Sequence, residues 1–169
     1  AILPMTGGYN MHLIRAESPG HQVDKLVPRV RESAMILYII YFVLTLIEIV
    51  ILLIAGMPLF ESLTLSFGTA GTGGFGIRND GMASVTYAQQ TIITIFMTIF
   101  GVNFGVYFLF VKKKFKQALK AEEVRYYLGV MITAILLIAI NIKDMFSSFG
   151  EALHHSAFQV SSIMTTTGY

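Results

Sequence analysis

Two uncharged runs, Gly68-Thr-Ala-Gly-Thr-Gly-Gly-Phe-Gly76 and Thr165-Thr-Thr-Gly-Tyr169, have the residue types to hold a cation through neutral oxygens. Carbonyl oxygens replace the water shell of a large, weakly hydrated monovalent ion, whereas divalent ions take carboxylates. Glycine permits dihedral angles that turn successive carbonyls to one side, and threonine adds a hydroxyl without charge. The expected ion ligands are Thr72, Gly73 and Gly74 in the first run and Thr166, Thr167 and Gly168 in the second. Ala70, Gly71, Phe75, Thr165 and Tyr169 are expected to support them. Gly74 and Gly168 stand 94 positions apart, and that offset sets Thr72-Gly73-Gly74-Phe75 against Thr166-Thr167-Gly168-Tyr169.

Other chemistries fit less well. A phosphate-binding loop at Gly68–Gly76 needs a preceding strand and a βαβ unit, and both flanks are long apolar stretches. Cysteine is absent, which excludes disulfides and thiolate metal sites. His154 and His155 are adjacent, about 100° apart on a helix, so they suit packing or a pH-sensitive outer site better than a shared metal. Lys112–Lys120 follows an apolar stretch directly, so lipid head groups explain it better than nucleic acid. No nucleophile–base pair stands out, and no enzymatic activity or covalently bound cofactor is expected. Glu48 lies inside an apolar stretch, where an acid is costly; pairing with a polar group on a neighbouring helix is expected. Asn103, within Gly101-Val-Asn-Phe-Gly105, is read as part of a close helix-packing face.

The elements that would position these loops are membrane helices. Of the 169 residues, 54% are apolar and 13% charged, with a mean hydropathy of +0.67. Soluble domains average about 25% charged, so the deficit fits an outer face that meets lipid. Three stretches are long and apolar enough to cross a bilayer: Ile36–Ala55, Thr91–Phe110 and Tyr126–Ile142. At 1.5 Å per residue the first two reach about 30 Å and the third about 25 Å, with Arg125 and Lys143 placed to snorkel. Arg15, Lys25, Arg29 and Arg31 precede the first span. Lys112, Lys113, Lys114, Lys116, Lys120 and Arg125 separate the second and third, while Gly56–Gln90 holds only Arg78. Basic residues therefore gather on one side, which the positive-inside rule makes cytoplasmic. Residues 9–35 and 111–125 are expected inside, 56–90 and 143–169 outside, in the inner (plasma) membrane of a cell.

Each Gly/Thr run follows a half-membrane helix. Pro58–Gly68 places Leu59, Leu63 and Phe67 at four-residue spacing, with Pro58 suited to the first helical position and Glu61 near the positive end of the helix dipole. Eleven residues make about 16 Å, half a bilayer. Ser148 and Glu151 form a Ser-x-x-Glu capping box that opens a second short helix over 149–163. The spacer to the glycine is four residues longer in the second copy, from Glu151 to Gly168 against Glu61 to Gly74. The helix C-terminus aims roughly half a negative charge at the loop.

Thr72-Gly73-Gly74-Phe75 and Thr166-Thr167-Gly168-Tyr169 resemble the filter loops of the Trk/Ktr/HKT superfamily of potassium transporters, themselves looser versions of the potassium-channel Thr-Val-Gly-Tyr signature. Arg15-Ala-Glu-Ser-Pro-Gly20, Lys25-Leu-Val-Pro-Arg29 and His155-Ser-Ala-Phe-Gln-Val160 look like its bacterial TrkH-like branch. The resemblance implies an all-α membrane protein of repeated span–pore helix–filter loop–span units, pseudo-fourfold around one pore when complete. Both ends of the chain read as cuts in a longer polypeptide. On that reading 1–25 ends a first repeat and carries a cytoplasmic loop. Residues 26–116 form a second repeat, with spans near 36–55 and 91–110, a pore helix near 58–68 and a filter at 69–76. Residues 117–169 begin a third, with a span near 126–142, a pore helix near 149–163 and a filter at 165–169. The implied function is potassium uptake. The implied partners are the potassium ion, the lipid bilayer, a second copy in a homodimer and a cytoplasmic nucleotide-binding (RCK-type) regulatory ring. Gly73, where valine is usual, implies a looser filter. The rival reading is a non-conducting membrane scaffold or sensor whose Gly-rich loops merely connect helices; a scaffold has no reason to place such a loop twice behind a half-membrane helix.

Overall fold

The structure is a computed structural model and describes residues 30–111, 117–118 and 121–169. The expectations for 1–25, the runs Arg15–Gly20 and Lys25–Arg29, and the basic cluster at 112–116 lie outside the described residues. Among the described residues the fold is helical, with no strand: α1 (Val30–Ile54), α2 (Leu59–Ala70), α3 (Tyr87–Phe100), α4 (Phe104–Val111), α5 (Glu122–Ile142), a 3-10 turn at Lys143–Met145, and α6 (Phe149–Met164).

Two of these helices are long and apolar enough to cross a membrane, over Ala34–Ile54 and Glu122–Met145. Many of their large apolar side chains face outward. Phe42 is 53% exposed on α1, and Leu137 is 64% exposed on α5. In water such contiguous apolar faces would be costly; against hydrocarbon they are solvated.

The stretch expected to span at 91–110 is instead two helices, α3 and α4, separated at 101–103. A 14-residue α3 rises about 21 Å, short of a hydrocarbon core. Gly101 closes α3. A Cβ there would stand 2.5 Å from the Tyr127 hydroxyl and 2.7 Å from the Thr165 methyl, so this helix end is tightly packed. Asn103 starts α4 with its own side chain: its Oδ1 accepts from the Gly105 N–H at 2.8 Å, and its Nδ2 donates to Glu123 at 2.6 Å. Gly101 and Gly105 therefore do not share one helix; the close approach is kept at Gly101, against Tyr127 and Thr165, while Asn103 caps α4.

Contacts divide the chain into two compact units, the described part of Ala1–Val43 with Asn103–Arg125, and Leu44–Val102 with Tyr126–Tyr169. Both Gly/Thr loops belong to the second. Its core gathers Leu52, Met57, Leu65, Met82, Val85, Ile93, Met97 and Phe158, with Ile92 and Tyr169 packed against them. Helix α3 packs on both α2 and α6. It is held at its start by a capping box in which Thr86 accepts from the Gln89 N–H and the Gln89 side chain accepts from the Thr86 N–H. Toward its far end, the Thr98 and Ser161 hydroxyls meet at 3.3 Å.

Candidate ion-coordinating site

Each loop begins where a short helix runs out of hydrogen-bond partners. Pro58 stands just before α2 as its N-cap, one place earlier than expected. Glu61 in the first turn meets Arg78 in a two-pronged ion pair at 2.7 and 3.2 Å, and Arg78 also donates to the Ser84 hydroxyl at 2.6 Å. That hydrogen bond to Glu61 raises the Arg78 pKa further above its ordinary value, while the Ser84 hydroxyl holds Asp80 below the usual carboxylate range. The pairing ties the segment after the first loop back to the start of α2; the sequence offered only one basic residue in 56–90 as a sign of it. On α6, Ser148 accepts from the Glu151 N–H at 3.2 Å, but the returning carboxylate takes the N–H of Ser147 at 3.2 Å rather than that of Ser148.

The two helices end in the same way. At α2, the Thr72 N–H donates to Thr69 O at 3.2 Å and the Gly73 N–H to Gly68 O at 2.8 Å. At α6, the Thr166 N–H donates to Ile163 O at 3.1 Å and the Thr167 N–H to Ser162 O at 2.9 Å. Both are Schellman endings, related by the 94-residue offset of Gly74 and Gly168. The residue that must turn left-handed, normally glycine, is a threonine in each: Thr72 at φ 50° and Thr166 at φ 58°. A β-branched residue there is strained by about 1–2 kcal/mol, and such strain concentrates at functional sites. Two residues on, Gly74 at φ 63° and Gly168 at φ 81° turn the chain again. The four extra residues of the second copy are accordingly one added turn at the start of α6, and the loops themselves are in register.

These turns leave main-chain oxygens without donors. Among the described residues, no hydrogen bond is directed at the carbonyls of Gly71, Thr72, Gly73, Gly74, Thr165, Thr166, Thr167 or Gly168. The loops also touch. A Cβ on Gly74 would overlap the Thr167 carbonyl oxygen and lie 3.1 Å from that of Gly168, so only glycine admits the second loop so close.

The supporting residues differ in role. Tyr169 reaches from the second loop to the first helix: its hydroxyl donates to Leu65 O at 2.6 Å and lies 3.4 Å from the Thr69 hydroxyl. Gly68 makes room, since a Cβ there would stand 2.5 Å from the Tyr169 oxygen. The Ser162 hydroxyl holds the Tyr169 carbonyl at 3.3 Å. Thr165 donates to Ser161 O at 2.7 Å and meets the Thr167 hydroxyl at 2.8 Å, both threonines being buried. The Thr167 hydroxyl is thus engaged, and its carbonyl is the oxygen left to it. Thr166 and Gly168 are exposed. Phe75 is 73% exposed. Its ring folds over Gly73, 2.7 Å from where a Cβ would be, and fills the space that valine would take. Ala70 and Gly71 complete the helix end.

Among the described residues no three His, Cys, Asp or Glu side chains are grouped as metal ligands would be. His154 is engaged by α3: its Nε2 is 2.9 Å from Gln90 Oε1, its Nδ1 3.4 Å from the Thr91 hydroxyl, and its ring stacks on Tyr87 at 3.6 Å. His155 stacks on Phe146 at 4.9 Å.

Against known proteins, no family model matches the chain. All of it aligns with the Trk system potassium uptake protein TrkH of Salmonella typhimurium at 37% identity and of Vibrio parahaemolyticus at 32%, in each case over 36% of the relative's length. The Trk system potassium uptake protein TrkG of Escherichia coli matches at 28% over 99% of the chain. The crystal structure of the potassium transporter TrkH from Vibrio parahaemolyticus superposes with a TM-score of 0.80 at 29% identity, covering 93% of this chain and 35% of that one. The chain spans about a third of the length of these relatives. Over its whole length the chain is similar to about a third of these Trk system potassium uptake proteins, in sequence and in helical structure.

Proposed function

We propose that residues 71–76 and 165–169 are two oxygen-lined filter loops of a potassium pathway, and that the whole protein takes up potassium. The reading rests on one observation above the rest: Gly74 lies against the Thr167–Gly168 backbone, at the tips of two identically built helix ends whose loop carbonyls receive no hydrogen bond among the described residues. A cation between them would find carbonyl oxygens of Thr72, Gly73, Gly74, Thr166, Thr167 and Gly168, with the negative ends of two helix dipoles behind. Non-helical backbone at membrane depth is tolerated where it lines such a path. The function is conduction through preformed oxygens, with no bond made or broken. In the complete protein four span–pore helix–filter–span units would surround one pseudo-fourfold pore in the inner membrane, with 9–35 and 111–125 cytoplasmic. A homodimer and a nucleotide-binding regulatory ring belong to the same reading.

Rubidium uptake into liposomes carrying the full-length protein tests it. Gly168→Ser is expected to abolish or strongly reduce ⁸⁶Rb⁺ entry while membrane insertion stays normal. Unchanged entry overturns the filter assignment.

A further inference from the structure

Gly101 closes α3 within the unit that holds both Gly/Thr loops, and its missing side chain leaves a seat. A Cβ there would stand 2.7 Å from the Thr165 methyl and 2.5 Å from the Tyr127 hydroxyl. The helix end that carries the seat is itself fastened. The Val102 N–H turns to Ile99 O at 3.0 Å, and the Tyr127 hydroxyl donates at 3.2 Å to Thr98 O, the carbonyl that Val102 would have taken in a continuing helix. The Thr98 hydroxyl meets that of Ser161 at 3.3 Å, so the end of α3 is tied to both α5 and α6.

What Thr165 does with its hydroxyl gives the seat a consequence. A threonine hydroxyl has one proton to give, and Thr165 donates it to Ser161 O at 2.7 Å. The 2.8 Å contact with Thr167 is therefore a hydrogen bond that Thr167 donates and Thr165 accepts. Two buried threonines thus form a chain, from the Thr167 hydroxyl to the Thr165 hydroxyl to Ser161 O on α6. The chain holds the Thr167 side chain toward α6, while the Thr167 carbonyl oxygen faces Gly74 of the first loop. The first loop has no counterpart. At the 94-residue offset Thr165 and Thr167 correspond to Gly71 and Gly73, which carry no side chain.

We propose that Gly101, outside both loops, is a positioning residue of the second: it seats the Thr165 methyl against the end of α3, and the Thr165 hydroxyl in turn holds Thr167 so that its carbonyl keeps its place beside Gly74. Gly101 touches no ion. Discrimination among monovalent ions depends on the spacing and field of the coordinating oxygens, and a displaced Thr165 shifts one of them. The inference rests on the filter reading above and deepens it.

The test uses the full-length protein in liposomes and reads ⁸⁶Rb⁺ entry against competing Na⁺. Gly101→Ala is expected to lower the Rb⁺/Na⁺ preference about tenfold with normal insertion, because the added methyl displaces Thr165. Tyr127 meets that methyl only with the far end of its side chain and can give way. Thr165→Val keeps the methyl but breaks the hydroxyl chain, and is expected to lower the preference about tenfold as well. Thr165→Ser keeps the hydroxyl and lacks the methyl. Alone it should lower the preference only slightly, yet added to Gly101→Ala it should raise it, a reversal of sign that marks two groups competing for one space. Should Gly101→Ala fail to insert, the double variant Gly101→Ala/Thr165→Ser takes its place. Restored insertion with the preference of Thr165→Ser supports the seat, and a double variant that also fails to insert overturns it. Wild-type preference in Gly101→Ala or Thr165→Val overturns the proposal, as does a double variant no better than Gly101→Ala. Gly168→Ser run in parallel separates the two claims. If it loses Rb⁺ entry while the variants at 101 and 165 keep the wild-type preference, the seat alone has failed; if it keeps Rb⁺ entry, the filter reading has failed and the role of Gly101 with it.

Discussion

The Tyr169 hydroxyl donates to the Leu65 carbonyl at 2.6 Å across 104 residues of sequence, so the end of the second loop is fastened to the helix that carries the first. Leu65 O also accepts from Thr69 within α2. Tyr169→Phe therefore removes one donor without stranding the carbonyl, and its expected cost is about 1 kcal/mol. Gly68→Ala should cost more, because its methyl meets the Tyr169 oxygen and the tyrosine must leave its seat. Thermal unfolding of the full-length protein in detergent checks the order. Equal loss from both variants would mean that the tyrosine is not held as described.

The two loop glycines, Gly74 and Gly168, separate conformational from steric need. Gly168 has a left-handed φ of 81° but open space where a Cβ would stand, so Gly168→Ala carries the conformational penalty alone, about 1–2 kcal/mol. Gly74 has φ 63°, and its Cβ would overlap the Thr167 carbonyl. Rigid backbone cannot yield as a side chain does, so Gly74→Ala adds an overpacking term of about 1–3 kcal/mol. Gly74→Ala is therefore expected to be the more damaging, in stability and in Rb⁺ entry.

Much of this arrangement was legible in the sequence because it depends on composition over long windows. The apolar run at 36–55 coincides with α1 up to its last residue and that at 126–142 lies within α5, while the run at 68–76 overlaps the last turn of α2 and that at 165–169 follows α6. What escaped depends on single side chains. An apolar count over 91–110 does not register that Asn103 caps a new helix with its own amide. Ser148 and Thr86 both carry the Ser/Thr-x-x-Glu/Gln pattern ahead of a helix, yet only the pair at Thr86 and Gln89 closes in both directions. Left-handed threonines at 72 and 166 run against their own propensity, and no local rule predicts them. The separate fates of Tyr169 and Phe75, equivalent by alignment, follow from Gly68 opening a seat for one ring while the other lies over Gly73.

The Glu61–Arg78 pair predicts a local, salt-sensitive effect. Arg78 is substantially accessible, and exposed pairs of this kind contribute little to stability. Arg78→Ala is expected to leave the unfolding temperature nearly unchanged while increasing hydrogen exchange over 77–85, where Arg78 also holds Ser84. Asp80 reinforces this at acid pH. Its folded pKa lies below the ordinary carboxylate value, its Ser84 hydrogen bond being the largest cause. Its contribution to loop order is thus complete above about pH 4 and fades only as pH falls through the lowered value. Exchange over 77–85 that rises already between pH 7 and 5 would contradict the assignment.

His154 predicts the opposite edge of the pH range. The Gln90 amide nitrogen donates to Met82 O at 2.8 Å and Val85 O at 3.1 Å, which turns its oxygen to His154 Nε2. Nε2 must therefore carry the proton, and Nδ1 is left facing a Thr91 hydroxyl that already donates to Tyr87 O at 2.9 Å. The ring is 9% exposed; burial, with the neighbouring His155 adding to it, pushes its pKa down. A folded value below the unfolded one, about 6.5, means that the unfolded chain binds the proton more tightly. Stability is full above about pH 6.5 and is lost as pH falls through the folded value. The unfolding temperature of the full-length protein should drop on going from pH 7.5 to 5.5. His154→Gln, which keeps a donor toward Gln90 but cannot titrate, should flatten that slope while losing some stability at pH 7.5 through the missing Tyr87 stack. A variant at 154 with the wild-type slope would place the acid sensitivity elsewhere.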